Sequence, residues 1–190
     1  MNLPNWLTLS RIAFAFIFVY LIIQNTFCST ILAALIFAVA SLTDYWDGYF
    51  AKKQNLVSDF GIIMDPIADK VLILAAFMIF VHLGVVQFWM VAIIFMREII
   101  VTVSRLLAVR HGQVIAAEKS GKLKTVFQIG SIGVILAFLI LEKSLFSTGH
   151  GFKFENVLLG IINLLMLVTV CLTLISGIFY FRHKRNLVHG

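Results

Sequence analysis

Six long apolar stretches dominate this chain, and they leave it few ways to fold. They fall at about 5–24, 31–52, 64–83, 86–109, 122–141 and 156–181. Each is close to the roughly 20 residues that a helix needs to cross the hydrocarbon of a bilayer. Apolar residues make up 61% of the 190 residues and charged residues only 13%. Soluble domains sit near 45–50% apolar and about 25% charged. So little polar surface cannot cover a soluble enzyme, and the composition equally excludes a disordered chain and a collagen-like fibre. A β-barrel would show short alternating segments instead of unbroken runs. The expected fold is all-α: an integral membrane bundle of six transmembrane helices forming a single domain over residues 1–190.

Lys and Arg placement orients that bundle. With the N-terminus in the cytoplasm, the outer loops are 25–30, 84–85 and 142–155, and they hold Lys143 and Lys153 alone among 15 basic residues. The rest fall on the inner side or in the inner half of a span, as the positive-inside rule requires, and six spans return the C-terminus to the cytoplasm. The net charge of +6 is therefore membrane flank and gives no reason to expect nucleic acid. The tail Arg182-His183-Lys184-Arg185 reads as an anchor for anionic lipids. No A-x-A-like site follows the first stretch, which is expected to remain uncleaved. Cys28 and Cys171 are far apart and read as small hydrophobes, not a disulfide or metal pair. The expected location is the cell membrane, multi-pass.

Scarce acid is concentrated in one place. Five of the nine acidic residues lie between positions 44 and 69: Asp44, Asp47, Asp59, Asp65 and Asp69. Asp44 follows Ile31 by 13 residues and Asp69 precedes Leu83 by 14, so at about 1.5 Å per residue both lie roughly 20 Å below the outer surface. Asp47 and Asp65 come out at about 24 and 27 Å. All four then occupy the inner third of a core about 30 Å thick. Two antiparallel helices would set Asp44 opposite Asp69 and Asp47 opposite Asp65. Residues three or four apart share a helix face, so the four carboxylates converge and would repel in low dielectric. Two divalent cations balance them, and hard oxygen ligands suit Mg²⁺ or Mn²⁺. The competing reading pairs the aspartates with Lys52, Lys53 and Lys70 only. Gly48, Ala51 and Gly61 are small residues that let a planar group approach the backbone; close helix packing would also use them.

The run Asp44-x2-Asp47-Gly48-x2-Ala51-Lys52-x8-Gly61-x3-Asp65-x3-Asp69 resembles the signature of the CDP-alcohol phosphatidyltransferase family. Seven of eight defining positions match; Lys52 stands where the family has Arg, which keeps the charge and loses the planar fork. The opening Asn2–Arg11, the segment Asp65-Pro66-Ile67-Ala68-Asp69-Lys70, Arg97-Glu98 with Arg105-Leu106-Leu107, and Gly121–Thr125 resemble the bacterial branch that uses sn-glycerol-3-phosphate as acceptor. The resemblance covers roughly residues 1–130.

That resemblance implies transfer of a phosphatidyl group from CDP-diacylglycerol to sn-glycerol-3-phosphate with release of CMP. It implies one metal held by Asp44, Asp47 and Asp65, a second held by Asp44, Asp65 and Asp69, and Asp69 as general base. By the same analogy Gly48, Ala51, Lys52 and Gly61 line the nucleotide pocket, with Thr8 and Arg11 on the donor side. Family members are commonly homodimers working among membrane lipids.

The acceptor is a dianion and needs cations. Arg97 lies about 16 Å from the outer surface, deep for an arginine without a purpose. Arg105, Lys122 and Lys124 are the expected phosphate pocket, supported by Arg97 and Glu98. Plain positive-inside flanking competes for Lys122 and Lys124, and an internal ion pair competes for Arg97 and Glu98. The rival functions are a sister enzyme with another acceptor, such as a cardiolipin or phosphatidylserine synthase, and an ion or proton transporter. A transporter would need acid along a whole path, whereas the outer halves of these spans carry none.

Overall fold

The computed structural model describes the backbone of residues 3–54, 59–110, 119–146 and 152–188, and side chains within 10–43, 70–104, 107–108, 123–144 and 155–182. Six helices account for the described backbone: α1 (Leu3–Ile23), α2 (Phe27–Gln54), α3 (Asp59–His82), α4 (Phe88–Arg110), α5 (Lys119–Phe146) and α6 (Phe152–Val188). The described residues contain no strand. Each helix corresponds to one expected apolar stretch: α2, α5 and α6 run past theirs at both ends, whereas α1, α3 and α4 stop one or two residues short at one end. The expected loop at 25–30 is shorter than anticipated, because α2 already begins at Phe27.

Two tight turns at one end of the bundle explain this compactness. Thr26 and Ser29 cap α2 reciprocally: each backbone N–H donates to the other's hydroxyl at 3.2 Å. This is a capping box with serine at the third position in place of the usual Glu or Gln. Asn25 before it takes φ 53°, the left-handed conformation that closes helices and that Asn tolerates. Gly84 closes α3 with φ 74°. Gly84 N–H donates to Val81 at 3.0 Å and Val85 N–H to Phe80 at 3.1 Å, the paired bonds of a Schellman motif.

α1 packs against both α2 and α3, α5 against α2 and α6, and α4 against α3 and α6. Phe18 of α1 is fully buried and meets Phe37 of α2 at 5.8 Å and Phe80 of α3 at 6.4 Å between ring centroids. α5 is pinned to α2 where Lys143 Nζ donates to Thr30 Oγ1 at 2.7 Å. These turns mark the far end of the bundle; the opposite end, where Asp44 and Asp47 of α2 and Asp65 and Asp69 of α3 stand, is the aspartate end.

The outside of the bundle is as apolar as its core. Phe16, Leu35, Val126 and Leu164 are 71, 57, 64 and 64% exposed. In water such a surface would aggregate; against lipid tails it is matched. Two helical segments, Leu123–Ser144 and Glu155–Arg182, are long and apolar enough to cross a membrane. Ser10–Ile23, Phe27–Thr43 and Lys70–His82 are shorter apolar segments. The chain is read as a membrane protein.

Candidate functional site

Four helices converge on one buried carboxylate. Glu98 of α4 is 4% exposed. Lys124 of α5, itself 8% exposed, donates to Glu98 Oε1. Arg97 Nη1 reaches the same oxygen at 3.1 Å, and Lys70 Nζ of α3 lies 3.3 Å from Oε2. Arg97 Nη2 also donates to Ser176 Oγ of α6 at 2.9 Å. The Thr102 hydroxyl donates to the Glu98 carbonyl at 2.7 Å and accepts from Lys70.

Helix geometry explains why these groups meet. Glu98 and Thr102 are one turn apart on α4, so one face presents both the carboxylate and the hydroxyl. On α6, Thr169, Thr173 and Ser176 share a face at i, i+4 and i+7, all buried. Ser131 of α5 meets Thr169 at 2.9 Å. The Ser131, Thr169 and Thr173 hydroxyls also bond carbonyls one turn back, at 2.7, 2.9 and 2.7 Å. Small hydroxyl residues of this kind let membrane helices approach closely and bond across the seam. Gly177 adds to the approach: a Cβ there would sit 3.4 Å from Arg97 Cγ and Nε.

Among the described residues, Lys70, Arg97 and Lys124 bring three positive charges to the one carboxylate of Glu98. Ionised groups withdrawn from water are costly unless compensated. Three cations gathered on one carboxylate are chemically suited to an anionic ligand, since Arg and Lys donors give charge-assisted bonds to phosphate oxygens.

This cluster abuts the acidic motif, since Lys70 directly follows Asp69 on α3. Asp44 and Asp47 stand on α2 and Asp65 and Asp69 on α3. From the Phe18 contact, Asp44 is seven residues along α2 from Phe37, and Asp69 eleven along α3 from Phe80. Those offsets are about 11 and 17 Å toward the aspartate end. Both pairs therefore occupy the same end of two helices that pack on α1. Their side chains lie outside the described residues, as do those of Thr8, Gly48, Ala51, Lys52, Gly61, Arg105 and Lys122. Among the described residues no group of three or more possible metal ligands comes together.

Of the residues singled out from sequence, the structure joins Arg97, Glu98 and Lys124, and buries Arg11 on α1. The internal ion pair set out as the competing reading for Arg97 and Glu98 is present, and Lys124 joins it. Lys70, Thr102 and Ser176 were not anticipated as partners. The signal for Lys70 was its place directly after Asp69. Thr102 could have been found one turn from Glu98. Ser176 carried no local signal, since its partner is 79 residues away.

On its lipid-facing side the site is flanked by a groove of about 710 Å³ between α4 and α6. Its walls are apolar, including Met96, Ile100 and Ile178, and Arg97 and Arg182 are its charged members.

The CDP-alcohol phosphatidyltransferase family profile matches residues 1–179. The chain belongs to that family. Among its relatives, the CDP-diacylglycerol–glycerol-3-phosphate 3-phosphatidyltransferase of Bacillus subtilis is 36% identical over 192 residues, covering 95% of this chain and 93% of the relative. The Rickettsia typhi protein of the same name is 32% identical over 181 residues, covering 95% and 96%. A probable phosphatidylglycerophosphate synthase of Mycobacterium tuberculosis is 38% identical over 138 residues, covering 71% and 66%. The match to the family extends well past residue 130, so α5 and most of α6 belong to the CDP-alcohol phosphatidyltransferase unit, beyond the reach of the sequence motifs.

Proposed function

We propose that the chain transfers the phosphatidyl group of CDP-diacylglycerol to sn-glycerol-3-phosphate, giving phosphatidylglycerophosphate and CMP. The observation that carries this reading is the gathering of Lys70, Arg97 and Lys124 on Glu98, one residue from Asp69. It suits an acceptor that brings both a phosphate dianion and a hydroxyl. The names of the relatives point to the same acceptor.

The bond that forms joins an acceptor hydroxyl oxygen to the phosphorus bearing diacylglycerol. The bond that breaks is the one from that phosphorus to the CMP oxygen. The hydroxyl proton passes to Asp69, the general base. Lys124, Arg97, Arg105 and Lys122 hold the acceptor phosphate, joined by Lys70. Thr8, Arg11, Gly48, Ala51, Lys52 and Gly61 hold the nucleotide end of the donor. Glu98 keeps the cations gathered before the acceptor arrives, so less reorganisation is needed on binding. The donor set of Asp44, Asp47, Asp65 and Asp69 is all hard oxygen, which fits two Mg²⁺ or Mn²⁺ ions. Those ions supply charge neutralisation at the diphosphate and at the transferred phosphoryl group.

In this reading the six helices all span the cell membrane, both termini are cytoplasmic, and the aspartate end faces the cytoplasm. The acceptor enters and CMP leaves there, while the lipid donor arrives sideways from the inner leaflet. One domain carries the whole activity, and the enzyme works as a homodimer.

The test is CMP release by purified protein supplied with CDP-diacylglycerol and Mg²⁺ or Mn²⁺, offered glycerol-3-phosphate, serine or phosphatidylglycerol. Release with glycerol-3-phosphate supports the proposal. No release with any acceptor overturns the transferase reading. Release only with serine or phosphatidylglycerol overturns the acceptor and leaves a sister enzyme.

A further inference from the structure

We propose that Gln128 hydrogen-bonds the secondary hydroxyl of the glycerol acceptor and thereby selects acceptors that carry it. This rests on the acceptor reading above and extends it to a residue outside both the family motif and the cation cluster.

Gln128 is 3% exposed, and its amide nitrogen has no hydrogen-bond partner among the described residues. Its neighbours on the same face of α5 are occupied. Lys124, one turn before, is held by Glu98, and Ser131, at i+3, bonds Thr169 and the Phe127 carbonyl. Thr173, on the buried polar face of α6, donates to the Thr169 carbonyl. The hydroxyls of this seam, Ser131, Thr169 and Thr173, are all paired, and the amide between them and Lys124 is not. Buried polar groups are nearly always paired, so an orphaned one calls for a guest. An amide nitrogen carries two donors and no acceptor, so the guest must present an oxygen lone pair.

The position of Gln128 identifies which oxygen. Gln128 is four residues, about 6 Å, beyond Lys124 along α5. The bond from Lys143 Nζ to Thr30 Oγ1 holds α5 beside α2 to within the reach of one lysine side chain. Fifteen residues from Lys143 lies Gln128, and fourteen from Thr30 lies Asp44. At about 1.5 Å per residue these are nearly equal distances, about 22 Å. Gln128 therefore stands at the depth of Asp44 and one turn beyond the cation that would hold the phosphate. A glycerol phosphate spanning those two places has its phosphate at Lys124, its reacting primary hydroxyl toward the aspartates, and its central carbon between them. The hydroxyl on that carbon meets the Gln128 amide.

A site built to bond a substrate hydroxyl rejects the analogue that lacks it, because its own donors are left unpaired. The experiment measures kcat/KM for glycerol-3-phosphate and for 3-hydroxypropyl phosphate, which lacks only the central hydroxyl. The unaltered enzyme is expected to favour glycerol-3-phosphate by about 100-fold or more. Gln128→Met should lower kcat/KM for glycerol-3-phosphate by about 30-fold and change that for the analogue by less than about threefold, which isolates the pairwise contact. Gln128→Asn, which keeps a shorter amide, should retain part of the preference. The KM for CDP-diacylglycerol should not move. Equal use of both acceptors by the unaltered enzyme overturns the proposal without recourse to any variant. So does an equal loss on both acceptors in Gln128→Met, which marks a structural role, or no loss on either, which marks a water site. Absence of turnover with glycerol-3-phosphate in the unaltered enzyme is a failure of the acceptor reading itself, and is seen before any variant is made.

Discussion

Arg97 and Ser176 tie α4 to α6 by a single bond, Nη2 to Oγ at 2.9 Å. The guanidinium is thereby stretched between a carboxylate on its own helix and a hydroxyl on another. A hydrogen bond to a charged group contributes about 1.5–3 kcal/mol. Ser176→Ala should lower stability by about 1.5 kcal/mol, the low end, because Arg97 keeps Glu98. Thermal unfolding in detergent checks this, and an unchanged midpoint would show the bond to be idle.

Gly177 stands beside that bond. An added Cβ would touch Arg97 Cγ and Nε at 3.4 Å, so alanine fits closely and a branched side chain does not. Gly177→Val should destabilise by about 1–3 kcal/mol through overpacking, with Gly177→Ala far milder. Comparing the two unfolding midpoints decides it; equal effects would mean that Arg97 moves aside freely.

Removing the charge of Glu98 leaves three cations facing one another. Glu98→Gln should cost about 3–5 kcal/mol, as expected when one partner of a buried ionic group is lost. Adding Lys124→Met should restore part of that stability, with a coupling of at least about 1 kcal/mol. A double-mutant cycle on unfolding free energies measures it. Additive losses would show that the charges do not interact.

Asp69→Asn should abolish CMP release while leaving the unfolding free energy within about 1 kcal/mol of the parent, since it removes a base and a metal ligand rather than packing. Chelation with EDTA should abolish turnover likewise, and excess Mg²⁺ or Mn²⁺ should restore it. Near-normal turnover in Asp69→Asn would reject its role as base.

Six helices were legible in the sequence because each is predominantly apolar over most of its length, a signal that survives the few charged residues within it. Their ends were less so. Lys119–Lys122 and the residues from His183 to Val188 extend α5 and α6 with polar side chains that hydropathy places outside the membrane. The early start of α2 depends on Thr26 and Ser29 capping each other, a pattern that was present in the sequence but lacked the usual acidic partner. For the site, the value of Arg97, Glu98 and Lys124 was visible from depth and scarcity of charge. They were grouped at one site on that ground, but the direct bond from Lys124 to Glu98, between residues 26 apart on two helices, was not legible. Gln128 gave no signal at all: only burial without a partner distinguishes it from a surface glutamine.

Far from the cluster, Thr30 holds Lys143 at 2.7 Å and donates to the Thr26 carbonyl at 2.8 Å. Thr30→Val removes both bonds and should lower stability by about 2 kcal/mol with no change in acceptor KM. A rise in that KM would mean that the far end communicates with the site.

Glu98 is one carboxylate shared among three cations, and the sharing is lopsided in what it tolerates. Loss of any one of Lys70, Arg97 or Lys124 leaves the acid with two of these partners. Loss of Glu98 removes the one group that all three share. Over generations of drift the cations can therefore be exchanged one at a time, each change cushioned by the other two. The acid has no such cushion, and a lineage that replaces it must alter a basic position in the same step.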